Sequence, residues 1–419
     1  MNGFNINKKI ELLAELAERK STEAFSHIEE ITQHNQTAVL RAFIENKVSE
    51  THFYPSTGYG YGDRGRDTLD RLWADIMGCE DSIIRYSFAS GTHTLCVMLF
   101  GVLRKGDTVL CVTGTPYDTI HGVFGIDGNR GSGSLSDFGV KYKQVELMTD
   151  GKVDLEAVEK VMKTEKIDAV YIQRSRGYTL RPSLSTEKIG EIVKTVRRRG
   201  DAVIMLDNCY GEFVEKTSPF EYDVDIMAGS LIKNAGGGIV KCGGYIAGKK
   251  KYVELAAYRM TAPGIGREIG ASLGNNRDIF MGIFNAPHVT GEALKTAVFT
   301  AHLFEEMGYE VSPLPDEKRA DIIQSIMLKE PGKLVAFCKG LQSGSPVDSF
   351  VSPEPSLMPG YESKVIMAAG TFTLGSSIEL SADAPLREPY AVWLQGGLNY
   401  HSAKTAVMLA ASRVLEYGE

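Results

Sequence analysis

The chain has 419 residues, with 46 Lys and Arg against 53 Asp and Glu and a formal net charge of −7. That length accommodates two domains around a large core, and the mildly acidic balance, without any basic block, removes the charge argument for nucleic acid or anionic membrane as partner. No apolar run reaches the roughly 18 residues of a membrane span, and the amphipathic start (MNGFNINKKIELLAELAERK) lacks the apolar core of a signal peptide. The six cysteines, Cys79, Cys96, Cys111, Cys209, Cys242 and Cys338, form no C-x-x-C pair and sit mostly in apolar runs. They read as reduced thiols, not as disulfides or metal ligands, so a cytoplasmic protein without metal is expected.

In chain order, helical spacing of Ile10, Leu13, Ala14 and Ala17, and again of Val39, Leu40 and Phe43, predicts an N-terminal helical arm over residues 1–50. An aromatic, glycine-rich loop follows, from Phe53 to Arg64, with Tyr59, Gly60, Tyr61 and Gly62 at its centre. Its glycines permit tight turns and close approach to a ligand, and a plain surface loop reads the same way. The next elements expected are a helix over Gly65–Met77, a strand over Ser82–Phe88 and a helix over Cys96–Leu103. Ser90, Gly91 and Thr92 then fall at a helix N-terminus, where unpaired N–H groups and a partial positive charge favour an anion such as phosphate. A simple helix cap has the same pattern.

A buried strand over Thr108–Val112 leads to Tyr117, which can stack on an aromatic ligand or simply pack. Gly122–Gly139 reads as a Gly/Ser-rich connection or lid. Strand Lys141–Glu146, helix Leu155–Thr164, strand Ala169–Gln173 and helix Thr186–Arg199 continue an alternation that implies a parallel sheet with ligands at the carboxyl ends of its strands. Gly244–Ala247 reads as a strand that reverses direction. The remainder predicts a helix from His288 to Met307 bridging to a smaller α+β domain, with strands Ile322–Leu328, Lys364–Ala368 and Ile378–Leu380, helix Lys333–Gln342, a turn over Ser345–Gly360 and a last helix from Tyr400. The expected division is therefore an arm over 1–50, a large domain over 51–287 and a small domain over 288–419.

The most informative stretch is Asp201–Lys233. Val203–Leu206 is an apolar run ending in Asp207, and Asp225–Ala228 is a second, leading to Ser230-Leu231-Ile232-Lys233. An acid at the mouth of one buried strand and a lysine after the next is what pyridoxal phosphate chemistry requires. The lysine amine forms an imine with the cofactor aldehyde, and the carboxylate keeps the pyridine nitrogen protonated so that the ring accepts electrons. Ser230-x-x-Lys233 also matches a serine acyl-enzyme pattern, but no Lys-Thr-Gly or Ser-Asp-Asn partner accompanies it.

Taken together, Arg66-Asp67-Thr68-Leu69-Asp70, Phe88-Ala89-Ser90-Gly91, Asp207-Asn208-Cys209-Tyr210-Gly211-Glu212-Phe213, Ser230-Leu231-Ile232-Lys233-Asn234 and Tyr258-Arg259-Met260-Thr261-Ala262-Pro263-Gly264 make the chain resemble the fold type I pyridoxal phosphate enzymes. Within them it resembles the bacterial family related to cystathionine β-lyase and methionine γ-lyase that is often labelled aluminium-resistance protein. The resemblance covers most of the chain. It implies an aspartate aminotransferase-type α/β fold with a mostly parallel sheet, and pyridoxal 5′-phosphate joined to Lys233 with Asp207 at the pyridine nitrogen. It implies that Ser90, Gly91, Thr92 and Ser230 hold the phosphate, that Tyr117 stacks on the ring and that Tyr210 belongs to the cofactor site. It further implies a homo-oligomer, dimer or tetramer, in which Tyr59 and Arg64 reach a neighbouring subunit's phosphate. The activity implied is carbon–sulfur lysis of a sulfur amino acid by β- or γ-elimination. An aminotransferase, another fold type I enzyme or a cofactor-bound regulator without turnover are the alternatives. The chain departs from the better-known enzymes where their Arg-Leu-Ser segment binds the substrate carboxylate, for it reads Glu379-Leu380-Ser381. Arg387, in a Pro-bounded turn, is the candidate replacement, since a guanidinium grips a carboxylate with two hydrogen bonds; a solvent arginine in a loop looks the same.

Overall fold

The computed structural model describes residues 3–126, 128, 131–358 and 363–417. The expected lid over 122–139 and turn over 345–360 therefore include positions 127, 129, 130, 359 and 360 that lie outside the described residues. The chain forms two compact units, 35–285 and a second one made of 1–34 with 286–419.

Helices α1 (Lys8–Lys20) and α2 (Thr22–Glu45) open the chain. The expected arm is not separate: Ile10, Ala14 and Ala17 lie in one hydrophobic core with Phe299, Leu303, Phe337 and Val407 of the C-terminal segment.

The 35–285 unit carries α3 (Arg64–Met77), β1 (Asp81–Arg85), α4 (Gly91–Val102), β2 (Thr108–Cys111), α5 (Asp118–Phe124), β3 (Lys141–Gln144), α6 (Leu155–Thr164), β4 (Ala169–Gln173), α7 (Thr186–Arg197), β5 (Val203–Asp207), β6 (Ile226–Ser230), β7 (Gly244–Gly248) and α8 (Lys250–Met260). Side-chain caps start several helices: Asp63 accepts from Arg66 N, Asp154 from Ala157 N and Ser185 from Lys188 N. In α7 the apolar spacing puts Ile189, Ile192, Val193 and Val196 on the buried face. The seven strands lie in the order β1-β7-β6-β5-β4-β2-β3. Neighbours from β3 to β6 pair in parallel, and β7 runs antiparallel to both β6 and β1. All strands but β7 therefore point the same way, and the strand expected to reverse does so. Strands β2, β4, β6 and β7 are buried at every position, which explains their unbroken apolar runs.

An ion pair locks α3 to the edge strand. Arg85 Nη1 donates to Asp70 Oδ1 at 2.5 Å and Nη2 to Oδ2 at 3.0 Å, both side chains being buried, and Asp70 also accepts Ile84 N–H at 3.0 Å. Removing one partner strands the other charge away from water, so Asp70→Ala is expected to cost about 3–5 kcal/mol. Denaturant unfolding checks this, and a loss below ~1 kcal/mol would contradict it.

The second unit contains α9 (Asn276–Glu306), which spans the boundary, then β8 (Glu310–Ser312), β9 (Gln324–Met327), α10 (Pro331–Ser343), β10 (Val365–Ala368), β11 (Ser381–Pro385), β12 (Ala391–Gln395) and α11 (Tyr400–Glu416). Its strands form an antiparallel sheet in the order β10-β11-β12-β9-β8. Two expectations change here. Helix α9 starts at Asn276 and runs through Pro287, because Ile279, Phe280, Ile283 and Ala286 bury one continuous face that offsets the lost backbone bond. The strand expected over Ile378–Leu380 is Ser381–Pro385, whose small residues are all buried and show no apolar alternation. Among the described residues no helix is long and apolar enough to cross a membrane.

Candidate active site

Five parallel strands deliver chemistry to one edge of the large sheet. Gln173 ends β4 and Asp207 ends β5, abreast in register, and Asp207 is level with Ala228 of β6. Lys233 follows β6, Tyr117 follows β2 and the Ser90 turn follows β1. Shared strand direction thus brings together residues far apart in the chain.

Lys233 Nζ donates to the Tyr210 hydroxyl and lies 4.1 Å from the centre of that ring. Tyr210 reaches it from a left-handed backbone conformation, φ 68°, unusual for a residue with a side chain. The turn is braced by Asn234, whose Nδ2 donates to the Tyr210 and Glu212 carbonyls at 3.1 and 3.0 Å. The residue after the lysine therefore holds the loop that positions the lysine's partner.

Asp207 is buried. Its Oδ1 accepts Cys209 N–H at 3.0 Å and its Oδ2 a distant Tyr171 hydroxyl at 3.5 Å, and the Cys209 side chain also favours its charged form. Burial pushes its proton affinity up, while the amide of Cys209 and the charge of Lys233 act the other way. A carboxylate so thinly compensated suits a cationic partner. Burial likewise pushes the Cys209 thiol far up, so it stays protonated.

Ser90 caps α4, accepting His93 N–H at 3.1 Å, and leaves the first turn of the helix open to an anion. A Cβ on Gly91 would lie 3.3 Å from Ser230 Cβ and 3.8 Å from its Oγ, so the bare glycine allows the cup and β6 to meet. Ser230 Oγ is buried with no hydrogen-bond partner among the described residues. An orphaned hydroxyl beside a helix N-terminus fits a phosphate group well. Thr92 Oγ1 pairs with Thr119 Oγ1 at 2.8 Å, tying the cup to α5, a helix that the expected Gly/Ser connection concealed. Tyr117 N–H donates to Gln173 Oε1 at 2.7 Å, and the Tyr117 ring stands edge-on to Tyr178 at 5.5 Å.

The loop before α3 is held from below by Arg66, a residue whose structural role the sequence reading missed. Arg66 is buried and donates to the carbonyls of Gly60 and Gly270 at 2.9 and 3.1 Å. Tyr59 and Arg64 are exposed, with the Tyr59 and Tyr61 rings 5.5 Å apart. In the second unit Arg387 is exposed on the turn before β12. Glu379 is buried, and its two carboxylate oxygens accept the N–H groups of Phe372 and Thr373 at 2.9 and 2.7 Å. It braces a loop instead of facing a substrate carboxylate.

This sheet, with an acid and a lysine at the ends of neighbouring strands and an open helix N-terminus beside them, is that of the fold type I pyridoxal phosphate enzymes. An Escherichia coli pyridoxal-5′-phosphate-dependent protein, YhfS, shares the fold at a TM-score of 0.61 and 15% identity, over 92% of this chain and 96% of that one. The methionine gamma-lyase family model matches residues 10–415, and the chain belongs to that family. An uncharacterized Bacillus subtilis protein, YnbB, is 48% identical over 93% of this chain and 92% of its own length. The structure of a carbon-sulfur lyase involved in aluminum resistance from Clostridium novyi NT superposes at a TM-score of 0.94, with 50% identity, covering 98% of this chain and 97% of that one.

Proposed function

We propose that the chain is a pyridoxal 5′-phosphate-dependent carbon–sulfur lyase acting on a sulfur-containing amino acid, with Lys233 as its covalent and proton-transferring residue. The observation that carries this reading is the convergence of Lys233, the thinly compensated Asp207 and the orphaned Ser230 hydroxyl at one sheet edge. Bound there, the cofactor supplies an aldehyde that condenses with amines and a ring that takes up the electron pair left when a Cα–H bond breaks.

The residues divide the remaining work. Ser90, Gly91, Thr92 and Ser230 would hold the phosphate dianion through the first turn of α4 and the serine and threonine hydroxyls. Asp207 would supply the carboxylate for the ring nitrogen, and Tyr117 would stack on the ring. Lys233 Nζ, held by Tyr210 when free, removes the Cα proton as general base, a role worth about 10²–10⁴-fold in rate. That proton is then available to a departing thiolate. For a γ-leaving group a further proton moves at Cβ, for which Lys233 and the Tyr117 hydroxyl are the candidates. Arg387 is the proposed guanidinium for the substrate carboxylate.

An absorbance screen of purified protein against cystathionine, methionine, cysteine and homocysteine, with keto acid detection, tests the reading. Release of keto acid and ammonia supports elimination. Accumulation of pyridoxamine phosphate would replace lyase by aminotransferase, and a yellow protein that releases nothing would replace it by a regulator.

A homo-oligomer with Tyr59 and Arg64 on the neighbour's phosphate is part of the same proposal. Arg64→Ala is then expected to weaken cofactor binding by about 10–100-fold, the worth of one charge-assisted hydrogen bond. Mixed with Lys233→Ala chains it should regain turnover, since one subunit type supplies the lysine and the other the arginine. No regain after subunit exchange would place Arg64 outside a shared site.

A further inference from the structure

Behind Asp207 lies a buried acid that the proposed chemistry leaves unused. Glu212 is 2% exposed on the turn that presents Tyr210. Its Oε1 accepts the Tyr245 hydroxyl at 2.5 Å, and Tyr245 in turn accepts Asn208 Nδ2 at 3.2 Å. Asn208 Oδ1 receives Arg174 Nη1 at 2.9 Å, which closes a polar chain beside Asp207. Strand β6 makes room for the carboxyl, for a Cβ on Gly229 would lie 2.5 Å from Glu212 Oε1. The other oxygen, Oε2, is buried without a hydrogen-bond partner among the described residues. Glu212 also lines a cavity of about 50 Å³ with Asn35, Met77, Arg174, Asn208 and Glu215. At ~10–15 Å³ per water, and with Asn35, Arg174, Asn208 and Glu215 in a lining that also includes Ala38, Ile76, Phe213 and Pro219, the cavity has room for a few water molecules.

We infer that Glu212 is a proton-holding positioning residue: neutral, it leaves Asp207 as the single negative charge available to the cofactor's ring nitrogen, and it exchanges its proton through the cavity behind the turn. The inference rests on the proposed role of Asp207. A buried carboxylate oxygen without a protein partner, reached by at most a few enclosed waters, is costly, whereas a carboxylic acid there is tolerated. The groups around Glu212 agree. Burial raises its proton affinity, the Tyr245 hydrogen bond, a hydrogen bond from its own backbone amide and the Arg174 charge oppose this, and the Asp207 charge adds to it, leaving Glu212 pushed up to about 7. Glu215, which receives Arg174 Nη2 at 2.6 Å, and Lys216 line the same cavity, and protonated Cys209 adds no charge.

Infrared titration of the cofactor-free chain between about pH 5 and about pH 8.5 tests this in a range where ordinary carboxyls no longer titrate. The expected result is one carboxylic-acid band that fades with a midpoint of about 7 and is missing in Glu212→Gln. Tyr245→Phe, which removes the bond favouring the anion, is expected to raise that midpoint by about one unit. Asp207→Asn should keep the band and make it about threefold more acidic or beyond, because the neighbouring charge is gone. In the holoenzyme, Glu212→Gln should hold the low-pH rate within about threefold and lose the inflection at neutral pH. A band that disappears in Asp207→Asn, persists in Glu212→Gln or ignores Asp207 overturns the inference. The infrared readout needs neither cofactor nor substrate, so its outcome is separable from that of the lysine chemistry.

Discussion

Lys233→Ala protein is expected to lose turnover by about 10⁴-fold or more and to carry no cofactor that borohydride can fix to the chain. The size follows from two losses at once. The imine to Nζ disappears, and so does the amine that takes the Cα proton. Mass spectrometry of the reduced, digested protein should find the cofactor on the Lys233 peptide of wild type only. A small alkylamine added to the variant should restore part of the rate by replacing the missing base but not the covalent link. Lys233→Arg, which keeps the charge beside Tyr210 without a nucleophilic amine, separates chemistry from folding. Wild-type turnover in either variant, or fixation at another lysine, would move the site elsewhere.

Asp207→Asn has effects of opposite sign with and without cofactor. In the holoenzyme the charge facing the ring nitrogen is lost, and the rate should fall by about 10²–10³-fold, as when a preorganised charge partner is removed. In the cofactor-free chain the same change should raise the melting temperature at neutral pH. Burial lifts the folded-state proton affinity of Asp207 above the ordinary carboxyl value. The folded state therefore binds more protons than the unfolded one, and the stability present below the ordinary carboxyl pKa is lost as pH rises through the folded value. Asparagine removes that penalty while retaining an acceptor for Cys209 N–H. Calorimetry of both forms checks the pair of signs; a variant less stable without cofactor would mean that Asp207 is adequately compensated by protein groups alone.

The tertiary structure changed the reading in places where local pattern and global packing compete. Pro287 suggests a helix boundary, yet the apolar face before it keeps α9 continuous from Asn276. Small residues in β11 hide a strand buried at every position. The helix after Tyr117 was concealed by the glycines and serines that follow it, although its threonine ties the anion cup in place. The Glu379 side chain, placed by sequence where an arginine was expected, is used up in holding two backbone amides.

By itself, the order of residues determined the alternation of strands and helices, the parallel sheet, and the placement of Asp207 and Lys233 at the ends of neighbouring strands, because each depends on short apolar runs ended by one polar residue. Only the three-dimensional packing decided that Tyr210 meets the lysine from a left-handed turn, that Ser230 has no partner among the described residues, and that Glu212 lies in a polar chain beside Asp207. Those facts depend on which groups remain unpaired once the chain has closed around them, a property of the assembled interior that no window of sequence contains.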